Sequence, residues 1–434
     1  MLRSVPGRLA VMMFLQYFGL GAWVVPLTRY LPAPAEGGGL GFAPTQVGFV
    51  YMTLALGGIV APLFIGLLAD RWFASEKVIA GSHLVMAVLL ALAGRWCQTH
   101  DGPDADPEAA FPPLLALMVF YSVGCQITLT LTNVISFRNL HDSAGTFGYV
   151  RLVGTFGWVV GGVTVGWVMN PVSPEPLYLA STASVVLGGF ARCLPHTPPK
   201  GYGRPVREVL GLPAVRMLTD RSVLVFAAVL FVGNMMNQFY TLFAAPYLSD
   251  LGVRIDLGRL GSWGPEVVMT LAQWCEIGCM AATPLLLRRL GLKWLIGLGV
   301  AGWVLRNGLL YLADVPLLVA VGLPMHGWSY AFIGMLGALF VDRRAPDHLR
   351  AGTQALVTFL SSGPAVILGN YLASRVVQAH RVDGVTDWSS VWSVPLVVYL
   401  GVFVAFVVLF REPPPRRPGA ATTEPTAAAT TQRP

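Results

Sequence analysis

The chain has 434 residues, 55% of them hydrophobic and 12% charged, with mean hydropathy +0.63, where an ordinary soluble domain carries about 25% charged residues. That composition leaves no room for a water-soluble catalytic domain and puts the polypeptide in a bilayer. The net charge of +7 belongs to the loops between apolar stretches, so no nucleic acid is needed to account for it.

In chain order, twelve apolar stretches near the length that crosses a hydrocarbon core predict transmembrane helices. They run over Arg8–Tyr30, Val47–Ala69, Val78–Trp96, Pro112–Ser136, Tyr149–Met169, Pro176–Arg192, Val223–Tyr247, Pro265–Leu287, Trp294–Ala313, Val315–Phe340, Gly352–Val376 and Trp392–Phe410. The first is too long for a signal-peptide core and contains Pro26, so it reads as an uncleaved span. Residues 32–45 and 99–108, rich in Gly, Pro and Asp, read as solvated loops. The break over residues 194–221 carries Pro195, Pro198, Pro199, Pro205 and Pro213 and divides the helices six and six. The expected fold is thus an all-α membrane protein of two six-helix bundles, residues 1–193 and 222–411, joined by a linker over 194–221. Residues 412–434 are too polar and Pro-rich to bury a core and read as a disordered tail.

Lys and Arg resist translocation and mark the cytoplasmic side. Of 29 such residues, 21 fall on even-sided segments, 6 on odd-sided segments, and Arg151 and Arg306 lie within helices. Both termini are therefore expected in the cytoplasm, in a multi-pass protein of the inner membrane. The five cysteines sit in or at the ends of helices without C-x-x-C spacing; Cys275 and Cys279, one turn apart, read as packing residues rather than metal ligands.

Between the second and third stretches, Gly66–Lys77 reads G-L-L-A-D-R-W-F-A-S-E-K. It resembles the signature loop of the major facilitator superfamily, in which Gly66 would let two helices approach while Asp70 and Arg71 form a gating cluster. Leu287–Trp294, L-R-R-L-G-L-K-W, keeps the basic part of that pattern, as a duplicated bundle would.

Polar residues at membrane depth are costly unless they line a cavity or find partners. Arg151, Thr155 and Trp158, at i, i+4 and i+7, put a cation, a hydroxyl and an aromatic plate on one stripe. Asn234, Asn237 and Gln238 interrupt the seventh stretch; Gln273 and Glu276 are i, i+3 in the eighth; Arg306 lies in the ninth, His326 and Tyr330 in the tenth. This set is rich in amides and aromatics and poor in charge, which suits a neutral hydrogen-bonding ligand with a ring that stacks.

The segments F-L-Q-Y-F-G-L-G-A-W (Phe14–Trp23), T-N-V-I-S (Thr132–Ser136), V-R-L-V-G-T-F-G-W (Val150–Trp158), Q-W-C-E (Gln273–Glu276), W-V-L-R-N-G (Trp303–Gly308) and G-A-L-F-V-D (Gly337–Asp342) together resemble the nucleoside:proton symporter family of that superfamily. The resemblance implies that a nucleoside is bound by Arg151, Thr155, Trp158, Asn234, Asn237, Gln273, Glu276, His326 and Tyr330. It also implies an acidic, proton-coupling residue directly after Tyr330, where this chain has Ala331. Coupling would then fall to Glu276 or His326, both able to titrate near neutrality in a suitable setting, or the protein is a uniporter.

Each candidate has a plainer structural reading. Glu276 and Arg306 could form an ion pair, with Arg306 a structural charge; His326 could hydrogen-bond a backbone carbonyl; Asn234 and Asn237 could join helices. The threonines of the fourth stretch and His83 read as packing. With no Walker loop, H-E-x-x-H or G-x-S-x-G motif, the expectation is a secondary transporter, not an enzyme. It would import nucleosides by alternating access, probe proton coupling through the candidates above, use no cofactor or metal, bind no nucleic acid and work as a monomer.

Overall fold

The computed structural model describes residues 4–102, 106–140, 143–199, 206–209, 211–256, 262–312, 316–346 and 348–412. The first half of the chain forms α1 (Val5–Trp23), α2 (Leu27–Tyr30), α3 (Pro44–Leu67), α4 (Ser75–His100), α5 (Pro107–Asn139), α6 (Ser143–Val168) and α7 (Glu175–Phe190). After a short α8 (Val206–Val209) come α9 (Arg221–Asp250), α10 (Pro265–Val268) and α11 (Leu271–Tyr311). The chain continues through α12 (Pro316–Gly322), α13 (Pro324–Tyr330), α14 (Leu336–Arg344), α15 (Arg350–Ser362), α16 (Pro364–Ala379) and α17 (Trp388–Leu409). Two small antiparallel hairpins pair β1 (Ile255–Asp256) with β2 (Ser262–Trp263) and β3 (Arg381–Val382) with β4 (Val385–Thr386).

Among the described residues, nine helical segments are long and apolar enough to cross a membrane. Their outer faces are apolar too: Phe120, Val168, Val397 and Val408 are exposed, as lipid-facing residues are. The chain terminates its helices with the expected signals. Ser4 Oγ accepts the Gly7 N–H at 3.3 Å ahead of α1, and Asp106 accepts the Glu108 and Ala109 N–H groups ahead of α5.

Several predicted spans are broken where the backbone demands it. The first parts at Pro26 into α1 and α2. The eighth and ninth join in α11, which turns at Gly291, φ +77°, a left-handed conformation that favours glycine. The tenth is divided among α12, α13, a turn of π-helix over Ala331–Met335, and α14. Another π turn, Leu68–Trp72, continues α3. The predicted tail begins one residue too early: the Glu412 carboxylate accepts the Leu292 and Lys293 N–H groups at 3.1 and 3.4 Å, capping the chain as it leaves Gly291. Residues 413–434 lie outside the described residues. The linker is docked rather than free where it is described, for Thr197 N–H donates to Glu76 at 3.0 Å and Arg216 pairs with His348 at 2.9 Å.

One end of the bundle, the near end, gathers Arg8 on Cys193 O (2.8 Å) and Ser222 on Arg411 O (3.0 Å). The opposite, far end gathers Arg29, Ser249 and Glu266. Within the first half, α1 and α6 meet through glycines. A Cβ on Gly157 would lie 2.3 Å from Phe14 O, one on Gly161 2.5 Å from Phe18 O, and one on Gly21 2.3 Å from Trp158 O. Gly157 and Gly161 are the G-x-x-x-G spacing that lets membrane helices approach closely. The two halves meet at the far end. A Cβ on Gly166 would lie 2.8 Å from Val267 Cγ2 and one on Gly48 1.9 Å from Ser374 Oγ.

Two predictions follow from this packing. Gly157→Ala drives a methyl into the α1 backbone and is expected to cost roughly 1–3 kcal/mol, seen as a lower melting temperature in detergent; Gly148→Ala, whose Cβ meets nothing within 4 Å, should leave it unchanged. At the near end, burial lifts the Asp220 carboxyl, but hydrogen bonds from Arg344 and from the Val223 and Ser222 N–H groups outweigh that and hold it below its ordinary value. A depressed folded pKa stabilises above the unfolded value of about 4 and is lost as pH falls through the folded one. Asp220→Asn should therefore melt earlier than the native protein at neutral pH, with the deficit shrinking in melts taken below about pH 4.

Candidate functional site

The close α1–α6 contact fixes the stripe on α6. Arg151 lies over the Tyr17 ring, 4.3 Å from its centroid, and its Nη1 donates to Thr155 Oγ1 at 3.2 Å. Thr155 is buried, so its hydroxyl holds the guanidinium instead of bonding back into its own helix. Trp158, one turn further, faces a cavity between the halves.

Across from this stripe, α9, α11 and α13 surround one buried cation. Arg306 is fully buried. Its Nη1 donates to Asn237 Oδ1 at 3.0 Å and to His326 Nδ1 at 2.8 Å, while Nε and Nη2 have no partner in hydrogen-bonding geometry. The guanidinium lies 4.4 Å from the Tyr240 ring centroid, and Tyr240 stacks on His326 at 4.5 Å and 17°. Arg306 thus does not pair with Glu276, and the ion pair considered from sequence is not formed. His326 likewise binds a side chain, not a backbone carbonyl.

Two cavities adjoin this cluster. One, of ≈ 240 Å³, lies between Trp158 of α6 and Thr241, Gln273 and Glu266 of the second half. The other, of ≈ 360 Å³, extends toward the near end past Asn234, Ser329 and Gln354. Asn237, His326 and Tyr330 line both. Most amides there have donors or acceptors to spare. Asn234 uses Nδ2 on Leu230 O (2.9 Å), leaving Oδ1 unspent, and Gln273 has no side-chain hydrogen bond among the described residues.

Glu276 is buried and no ion pair closes on it among the described residues; the cation that acts on it is Arg151, across the gap between the halves. Tyr17 and Tyr330 share that electrostatic neighbourhood. Ala331 is fully buried. Gly327, one turn earlier on the same face, packs against α11 so closely that a Cβ would lie 1.8 Å from Ala272 O and 2.6 Å from Glu276 N.

The expected gating residues are less informative. Arg71 is exposed on the π turn after α3, and the side chains of Gly66 and Asp70 lie outside the described residues. The helix-four hydroxyls behave as packing residues, since Thr128, Thr132 and Ser136 donate to carbonyls of their own helix. His83 joins Gln16 at 2.9 Å inside the first half. Among the described residues, no group of His, Cys, Asp or Glu is arranged to hold a metal ion. Sequence reasoning passed over Tyr17 and Tyr240, which look like ordinary apolar-helix aromatics, and the far-end pair Arg29 and Glu266. The last two were visible only as loop charges far apart in the chain.

A bundle of membrane-crossing helices with an amide- and aromatic-lined cavity where its halves meet has the build of a solute transporter. The nucleoside H+ symporter sequence family matches residues 4–414, and the chain belongs to that family; it is a multi-pass membrane transporter, not an enzyme. YegT of Escherichia coli (strain K12) is 31% identical over 93% of this chain and 93% of its own. The xanthosine permease of the same organism is 27% identical over 94% of this chain and 95% of its own. The crystal structure of nucleoside transporter NupG superposes with a TM-score of 0.82 at 23% identity, covering 94% of this chain and 100% of that one. At that identity the match speaks for the shared fold.

Proposed function

We propose that the protein imports nucleosides across the inner membrane by alternating access, as a monomer with both termini in the cytoplasm and with proton coupling through Glu276. The observation that carries this reading is the cavity between Trp158 and Tyr330, where a ring can be flanked by aromatics while Asn237 and Gln273 address its polar edge. Such a site supplies stacking and amide hydrogen bonds with little charge, the needs of a nucleobase carrying a neutral sugar.

Twelve crossings are inferred by adding three to the nine long apolar segments: α7, and the two arms of α11 on either side of Gly291. The halves are then residues 1–193 and 222–411 around the linker 194–221, and the near end, rich in Lys and Arg, is cytoplasmic. Proton coupling is assigned to Glu276 rather than His326 because Arg306 already occupies His326 Nδ1, whereas the Glu276 carboxylate has only the Arg151 charge across the gap to answer it. With Ala331 in the place of an acid, Glu276 is the carboxylate left in this cluster.

The outer side is closed by a second interaction between the halves. Arg29, beyond α1, donates to Glu266 Oε1 at 2.6 Å and to Ser249 Oγ at 3.1 Å. Arg29 is largely buried and Glu266 wholly so, and removing one partner of a buried pair costs roughly 3–5 kcal/mol because it strands the other. The pair has to part before the Trp158 cavity can open outward, so it serves as the outer latch of alternating access.

Uptake of labelled uridine and adenosine into proteoliposomes tests the function. Accumulation above equilibrium driven by an inward proton gradient, and lost in Glu276→Gln, is expected. Gradient-independent equilibration would make the protein a uniporter, and binding without flux a receptor. The latch has its own test: in a cysteine-free background, Thr270→Cys lines the cavity and should react with an impermeant maleimide from outside several-fold faster when Glu266→Gln is added. An unchanged labelling rate would mean that Arg29 and Glu266 hold no gate.

A further inference from the structure

Arg306 does more than fill a buried space, because a guanidinium can only donate hydrogen bonds. The atom of Asn237 that faces Nη1 at 3.0 Å must therefore be the amide oxygen, and the His326 nitrogen at 2.8 Å must be an unprotonated acceptor. The amide orientation and the ring tautomer, ordinarily matters of assignment, are both settled by one donor. The His326 ring proton then resides on Nε2, which has no protein partner among the described residues, and the ring plane is held by Tyr240 stacked beneath it. Asn237 turns its NH2 group away from Arg306, with one hydrogen on Thr241 Oγ1 at 3.4 Å and the other unspent.

Resting on the nucleoside reading above, we infer that Arg306 is a positioning residue that makes the Asn237–His326 wall of the cavity a donor-only surface, selecting nucleobases that present an oxo group there over those that present an amino group. Both residues line both cavities, so a base held between Trp158 and Tyr330 meets two N–H groups. An oxo oxygen accepts them. An exocyclic amine would bring a third donor to the wall and lose its water without a partner, which costs more than a missing hydrogen bond gains. Arg306 never touches the ligand; it acts by fixing which atoms its two neighbours turn outward.

The test has one arm that involves no ligand. In purified full-length protein with 15N-labelled histidine, the His326 signal, identified by its loss in His326→Gln, should report the neutral Nε2–H tautomer, and Arg306→Met should convert it to a mixture. In the second arm, equilibrium binding should favour uridine over cytidine and inosine over adenosine by about tenfold, one good hydrogen bond. Arg306→Met should bring both ratios close to one, and Arg306→Lys, a shorter donor with the same charge, should retain part of them. An Nδ1–H or doubly protonated His326 in the native protein would overturn the inference, as would equal or amino-favouring binding for both pairs, or ratios that survive Arg306→Met. Should Arg306→Met not fold, the native tautomer and native ratios still decide. If no nucleoside binds at all, the substrate reading falls while the tautomer result continues to judge what Arg306 positions.

Discussion

A guanidinium in the middle of an apolar bundle has to be answered by acceptors, and Arg306 finds two of them on one nitrogen: Asn237 from α9 and His326 from α13. No carboxylate shares that burden. The charge is instead spread into neutral groups and the face of Tyr240, which commits these residues to one orientation. Three helices of the second half are tied at a single point, and the tie decides what the cavity wall offers. A burial cost of this kind is tolerated in a membrane protein where function needs the group.

The first half answers with a rigid face. The glycines of α6 bring it against α1 without intervening side chains, so Arg151, Thr155 and Trp158 are carried on a backbone that has little freedom to shift. Between the halves, the opposition of Arg151 to Glu276 and the latch of Arg29 on Glu266 are the charged relations that cross the gap. One lies in the middle and one at the far end. Glycine contacts such as Gly166 on Val267 also concentrate at the far end, leaving the larger cavity toward the near end. This is the geometry of a transporter closed on one side and poised to exchange on the other.

Much of this was legible in the sequence because the bilayer imposes a simple rule: apolar length marks a span and a polar residue inside it needs a reason. Arg151, Thr155 and Trp158 were found by helical spacing, and Asn237, Gln273, His326 and Tyr330 by their interruption of apolar runs; the structure brings the last four and Trp158 to one cavity. Partners across helices were not legible. Glu276 and Arg306 look matched in charge and depth, yet helix rotation turns Arg306 toward Asn237 and leaves Glu276 toward Arg151. Pairings such as Arg29 with Glu266, 237 positions apart, carry no local signal. Nor did hydropathy distinguish a continuous span from one interrupted by Gly291 or by the π turn after Tyr330, because those breaks are set by backbone geometry.

The central claim is that ligand occupies the space between Trp158 and Tyr330, and the most direct measurement compares equilibrium binding of labelled uridine to the purified protein, to Gln273→Ala and to Trp274→Ala. Gln273 lines the cavity with its amide unspent, while its neighbour Trp274 is exposed on the outside of the bundle. The account predicts that Gln273→Ala weakens binding by about tenfold or more, the worth of a buried hydrogen bond, and that Trp274→Ala leaves it unchanged. Undiminished binding in Gln273→Ala would contradict it.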